Sequence, residues 1–328
     1  MRVKFIDYPT FIEVSKYDEL KNKLVNQLIS HPSILSVYQM GSVKTPGISD
    51  LDLICVFHND SECNLNLRGD LSNDEKKILT HGIFGVEEQD LTTAMTYNLL
   101  SNLQLLGGKD LSLGNVLTTK DQGLKTQIAL EYLLKMYIAL DTQTTLKISK
   151  LRSFLLLGKA ISFDLELLNI KDGELHDLVK RVFDYRAIWF ENQPKEKEVL
   201  NLVLNFHKEI EKLLSNLLIE HKFYLPFEEI YMPGNFSVKK GERLKRVHKG
   251  IVLPNQLKFF GKKYINLQYR LNKFEYELPF EVPQEGTIIS DRFEFTKKLV
   301  LKSRKRFPSF VPIMSSLSMY NNYTDEKS

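Results

Sequence analysis

The sequence predicts an α+β protein, and three observations carry that prediction. Two short runs rich in β-branched and aromatic residues, 34–38 and 53–57, flank a Gly-Ser turn and read as strands. From Asp121 to about His221, apolar residues recur at helical spacing and Gly and Pro are scarce. Beyond His221, aromatic and aliphatic residues interleave with charge, as in paired strands. The chain has 328 residues, 43% of them hydrophobic and 26% charged, enough for two or three domains of ordinary globular composition. The expected division is 1–118, 119–222 and 223–328.

Residues 15–30 form the first expected helix, with Leu20, Leu24, Val25 and Leu28 on one face and Lys21, Lys23 and Asn26 opposite. His31-Pro32 ends it, because proline disfavours helix in the residue before it. Strand 34–38, the turn at Gly41-Ser42, a loop, and strand 53–57 follow. Asp50 and Asp52 stand where the second strand begins. Two residues apart on an extended backbone, their side chains leave the same face. Carboxylates so placed repel unless a cation sits between them, and a hard, oxygen-seeking ion such as Mg²⁺ suits them. Gly41 lets a ligand approach the backbone closely. Ser42 offers a hydroxyl, and a turn or helix start there aims N–H groups at an anion.

A polar stretch covers 58–77. Extended character returns at Ile78-Leu79 and 83–86, followed by Glu87, Glu88 and Asp90. Alternation puts Glu88 in phase with Phe84 and Val86, and Glu87 in phase with Gly85. Asp90 also suits the N-cap of a helix over 91–103. A strand over 103–111, running into a Gly-Lys-Asp turn, closes this first region.

Gly41-Ser42 followed by Ser49-Asp50-Leu51-Asp52-Leu53 resembles the signature of the DNA polymerase beta-type nucleotidyltransferase superfamily. There an apolar strand, Gly-Ser or Gly-Gly, a variable loop and Asp-x-Asp on the next strand occur in that order. The resemblance covers about the first third of the chain. It implies a small mixed-sheet catalytic domain that moves an NMP from an NTP to an acceptor hydroxyl or amine and releases pyrophosphate. It implies Mg²⁺ or Mn²⁺ held by Asp50 and Asp52. A third carboxylate on a neighbouring strand faces that pair, acting as base and touching metal; Glu88 is the candidate, with Glu87 and Asp90 as alternatives. Gly41, Ser42, Lys44 and Ser49 are the candidates for binding the nucleotide. The family's third residue is usually Asp, so a Glu here also admits a catalytically weak, nucleotide- or nucleic-acid-binding regulatory module of the same fold.

Four helices are expected next, the first carrying Leu124, Ile128, Leu130, Leu133, Leu134 and Tyr137 at helical intervals and the others over about 151–168, 175–190 and 195–218. In the superfamily such a bundle closes the nucleotide cleft. Tyr132 and Tyr137 suit core packing or base stacking. His176, His207 and His221 lack zinc-ligand spacing. The net charge of +4 is concentrated from Phe223 onward. Two basic clusters, 239–249 and 297–306, lie beside Tyr and Phe and suit either nucleic acid or polyphosphate or the solvated faces of a small α+β module. The acceptor remains open between a small molecule, a nucleotide, an RNA end and a protein hydroxyl. Tyr264–Leu278 reads as a hairpin, and 321–328 as a tail. Two cysteines are too few for a disulfide framework. No apolar run approaches transmembrane length, so no membrane partner and a cytoplasmic location are expected.

Overall fold

A computed structural model describes residues 3–113, 121–232, 235–254, 256–257 and 262–313. In chain order the elements begin with β1 (Lys4–Ile6), α1 (Val14–Ile29), β2 (Ile34–Met40), β3 (Asp52–Phe57) and α2 (Asn73–Ile78). There follow β4 (Phe84–Glu87), α3 (Glu88–Asn98), β5 (Leu103–Gly108), α4 (Gln122–Thr145), β6 (Ile148–Lys150) and α5 (Leu151–Leu167). Next come α6 (Glu174–Ile188), α7 (Glu196–Glu220), β7 (Glu229–Met232), β8 (Phe236–Lys240) and β9 (Lys245–Gly250). The last are α8 (Lys262–Leu271), β10 (Asn272–Leu278), α9 (Ile288–Arg306) and β11 (Val311–Pro312). The chain is α+β and forms two compact units.

The first unit spans Thr10 to Gln122 and takes in the chain again from Glu294. Its five-stranded sheet has the order β11-β4-β3-β2-β5. β2 and β3 are antiparallel, with Val37 opposite Cys55 and Met40 opposite Asp52. β4 runs parallel to β3, with Val56 opposite Val86 and Phe57 opposite Glu87. Period-two alternation sends successive side chains to opposite faces. Leu53, Cys55 and Phe57 pack with Leu20, Leu24 and Leu28 of α1. Ile54 and Val56 pack with Leu91, Ala94 and Met95 of α3 and Leu299 of α9.

The sheet recruits its far edge from the other end of the chain. Phe307 stacks on Phe57 at 3.9 Å between ring centroids, and Phe310 meets the same ring edge-on. Lys302 and Arg306 of α9 each donate to the buried Glu87 carboxylate at 2.8 Å. These contacts explain why the latter part of α9 belongs with the first third of the chain, and not with a separate carboxy-terminal region beginning at 223. The expected boundary at 118/119 lies outside the described residues. α2 replaces the extended character expected at Ile78. Ser72 Oγ accepts from the Glu75 N–H and Glu75 Oε2 accepts from the Ser72 N–H, a capping box inside a polar stretch.

The second unit holds β1 and the span from Gly123 to Phe293. All four expected helices are present as α4 to α7. α4 is apolar on most sides and correspondingly buried, from Leu124 and Ile128 to Leu133, Leu134 and Leu140. Phe206 of α7 meets Phe154 of α5 edge-on at 5.5 Å. β1 and β6 pair in parallel, and a four-stranded sheet has the order β7-β8-β10-β9. The hairpin expected over 264–278 is instead α8 followed by β10. Tyr264 and Gln268 are buried four residues apart, and Gln268 Nε2 donates to Tyr264 Oη at 2.9 Å. That spacing belongs to a helix.

Arg292, 1% exposed, forks onto the fully buried Glu131 with both Nη atoms at 2.7 Å. Removing one partner of a buried pair leaves an uncompensated charge. Arg292→Met should lower the unfolding free energy by about 3–5 kcal/mol in urea titration, and adding Glu131→Leu should recover most of the loss.

Candidate active site

The antiparallel register of β2 and β3 brings the Gly-Ser turn and the aspartate pair together. Met40 is opposite Asp52, so the chain leaves β2 through Gly41 at the end of the sheet where β3 begins. Gly41 has φ +68°, a left-handed conformation that favours glycine. No atom lies within 4 Å of where its Cβ would stand, so the backbone there is open on that side. Its N–H donates to the Asn102 carbonyl at 3.2 Å. Ser42 and Lys44 are exposed on the loop that follows. No helix begins after Ser42; the loop closes as a turn at 46–48.

Tyr17 of α1 sets the shape of that loop. Its buried hydroxyl accepts from the Gly47 N–H at 2.9 Å and donates to the Ser49 carbonyl at 2.8 Å, immediately before Asp50. Ser49 is itself buried, and its Oγ accepts from the Thr45 N–H at 3.1 Å. Ser49 is therefore engaged in holding the loop and is not displayed as a ligand-binding hydroxyl beside Ser42. The Leu51 N–H donates to the Ile78 carbonyl at the end of α2. The strand start is thus tied on both sides.

Asp52 opens β3 and Asp50 lies just before it, near enough for the Asp50 charge to act on Asp52. The Asp50 side chain is 11% exposed, and His81 Nε2 lies 3.8 Å from its Oδ2. Burial, together with the charge of Asp50, pushes the Asp52 carboxyl up to about 7. Two oxygen ligands in mutual repulsion are what a hard divalent cation relieves, so the pair fits such an ion. Among the described residues no group of three or more His, Cys, Asp or Glu side chains is arranged to hold a metal.

Glu88 does not join the pair. Its phase along β4 matches that of Asp52, but the parallel register puts Phe57, not Asp52, opposite Glu87. Five residues of strand separate those positions, roughly 16 Å at the usual rise. Glu88 opens α3, and its Oε1 lies 3.1 Å from Lys109 Nζ beyond the end of β5. The two alternatives lie at the same remote end. Glu87 is fully buried; burial alone would raise its carboxyl, but hydrogen bonds from Lys302, Gln89 and Arg306 outweigh this and hold it below its ordinary range. Asp90 is bonded by Lys302 as well.

The segment leading into β4, 80–83, reaches the pair through His81, which lies beside Asp50, and carries no carboxylate. Neither His81 nor Tyr17 was singled out from sequence. The signal for His81 is topological, because a parallel crossover places the residues before β4, not those after it, beside the start of β3.

The basic clusters are largely engaged. Lys239, Lys249 and Lys273 surround Glu275 at 3.7, 3.7 and 2.8 Å. Lys245 lies 3.8 Å from Glu277 and Arg246 2.9 Å from Asp141. Alternating Lys and Glu across neighbouring strands therefore give a mixed surface and not a basic stripe. No described helix is long and apolar enough to cross a membrane. Comparison of the chain with protein-family models, curated proteins and solved structures found no match.

The raised Asp52 pKa sets a pH dependence for the metal-free protein. Between about 4 and 7 the folded state holds a proton on Asp52 that the unfolded state has released, so stability falls as pH rises through that window. Asp52→Asn should remove this slope and stabilise the protein above pH 7 by about 2–4 kcal/mol, measured by denaturant titration at a series of pH values.

Proposed function

We propose that the chain is a metal-dependent nucleotidyltransferase that takes an NTP and transfers its NMP to an acceptor hydroxyl or amine. The observation that carries this reading is the shared strand end. Gly41, with its open left-handed backbone, and the Asp50–Asp52 pair stand together where β2 leaves and β3 enters the sheet. The order helix, strand, Gly-Ser turn, strand, crossover, parallel strand supports the mixed-sheet nucleotidyltransferase arrangement that the motif implies.

In this reading Asp50 and Asp52 hold Mg²⁺ or Mn²⁺, and binding releases the proton that Asp52 otherwise retains. Such an ion would supply positive charge to the triphosphate and its α-phosphorus. The open backbone at Gly41 and the exposed Ser42 hydroxyl would meet the phosphates, and the exposed Lys44 adds a cation on the same loop. Tyr17 keeps the aspartates aimed by fixing the backbone on either side of Ile48. The acceptor oxygen or nitrogen attacks the α-phosphorus, its bond to the bridging oxygen breaks, and pyrophosphate departs with the electron pair. The acceptor proton passes to solvent, since Glu88 stands at the other end of β4.

A second reading is favoured by one observation, the lack of a carboxylate between Thr80 and Phe84. It makes the chain a regulatory module that binds nucleotide without transferring it. Pyrophosphate release from each of the four NTPs with Mg²⁺ or Mn²⁺, with and without cell extract as a source of acceptor, separates the two. The transferase reading expects turnover, with at least a 100-fold loss in Asp50→Ala. Undiminished turnover in that variant would overturn it. Metal-dependent nucleotide binding with no pyrophosphate from any NTP would establish the module instead.

A further inference from the structure

Two hydrogen bonds hold the Gly-Ser turn, and both use the backbone of Gly41. Its N–H donates to the Asn102 carbonyl at 3.2 Å. Its carbonyl accepts from Gln39 Nε2, also at 3.2 Å. Gly41 therefore has no backbone donor left for a ligand. The next donor along the chain is the Ser42 N–H, and among the described residues nothing accepts from it.

Strand register decides which way that donor is turned. Gln39 pairs with Leu53, and residues directly opposite share a face of the sheet. Leu53 and Val37 belong to the core on the α1 side, so Gln39 leaves β2 toward α1, where it is 8% exposed. Met40 pairs with Asp52, which is in phase with Ile54 and Val56 of the core on the α3 side. Gln39 and Asp52 thus stand on opposite faces at the same strand end.

The peptide joining Gly41 to Ser42 is planar and trans, so its C=O and N–H point in opposite directions. With the carbonyl turned to Gln39 on the α1 side, the Ser42 N–H is turned to the side of Asp52. A phosphate brought there by a divalent cation would meet this donor without any turn of the backbone. Glycine adopts either hand of φ readily, so the plane of this peptide needs an anchor. Gln39 supplies it. Resting on the reading that Asp50 and Asp52 serve a nucleotide, we infer that Gln39 is a positioning residue for the triphosphate. It fixes the Gly41–Ser42 peptide, and the Ser42 N–H donates to a phosphate oxygen.

Calorimetric titration of the full chain with each of the four NTPs in the presence of Mn²⁺, and with Mn²⁺ alone, tests this. Gln39→Met keeps the length and bulk of the side chain and removes its donor. It should weaken the best-bound NTP by about tenfold, while Mn²⁺ alone binds as in the wild type. Gln39→Glu, whose carboxylate cannot donate, should give the same pattern and keeps the test valid if the Met variant misfolds. Wild-type NTP affinity in both variants would overturn the role of Gln39 and leave the nucleotide reading standing. Loss of Mn²⁺ binding together with NTP binding would make Gln39 a structural residue and overturn its positioning role. A wild type that binds none of the four NTPs would overturn the reading and the inference together.

Discussion

The candidate site depends on one constraint, the register of β3 between an antiparallel and a parallel neighbour. Antiparallel pairing with β2 returns the chain to the end where it left, so Gly41 and Asp52 meet although a loop separates them. Parallel pairing with β4 does the reverse. It brings the entry of β4 to the aspartates and carries its exit, with Glu87 and Glu88, to the far end. Side-chain phase cannot correct for this. A residue may share a face with Asp52 and still stand a whole strand away.

Three buried carboxylates are held by cations that come from distant sequence. Glu87 is met by Lys302 and Arg306, Glu131 by Arg292, and Asp141 by Arg246. Each pairing offsets a desolvation cost that would otherwise neutralise the acid or unfold its surroundings. Asp52 is the contrast. Among the described residues no cation is paired with it, its neighbour is another carboxylate, and its proton is retained to about pH 7. The same physics that makes Glu87 a structural group makes Asp50 and Asp52 candidates for an external cation. Much of the carboxy-terminal basic character is spent on such pairings and on the Lys–Glu lattice around Glu275.

Local signals were legible where the pattern and the fold agree. α1, β2, β3, β4 and the four helices from α4 to α7 follow directly from hydrophobic period, with Pro194 just ahead of α7. α2 was concealed by polar composition, although Ser72 and Glu75 carry its capping box. α8 was concealed because aromatic and charged residues interleave in it; the buried Tyr264 and Gln268 reveal the helical spacing only once burial is known. The aspartate pair and Gly41 could be read from spacing because they lie within a dozen residues. The loop-holding role of Tyr17, the approach of His81 and the capture of Glu87 all arise from pairing between separated segments. No window of sequence contains them.

The central claim is that Asp50 and Asp52 form a divalent-cation site serving a nucleotide. Titration of Mn²⁺ followed by its free-ion EPR signal, with and without ATP, tests it most directly in wild type and in Asp50→Asn/Asp52→Asn. The account predicts a site in the wild type that tightens by about tenfold or more with ATP present, and that disappears in the double variant while the fold persists. Equal Mn²⁺ binding by the two proteins would contradict it.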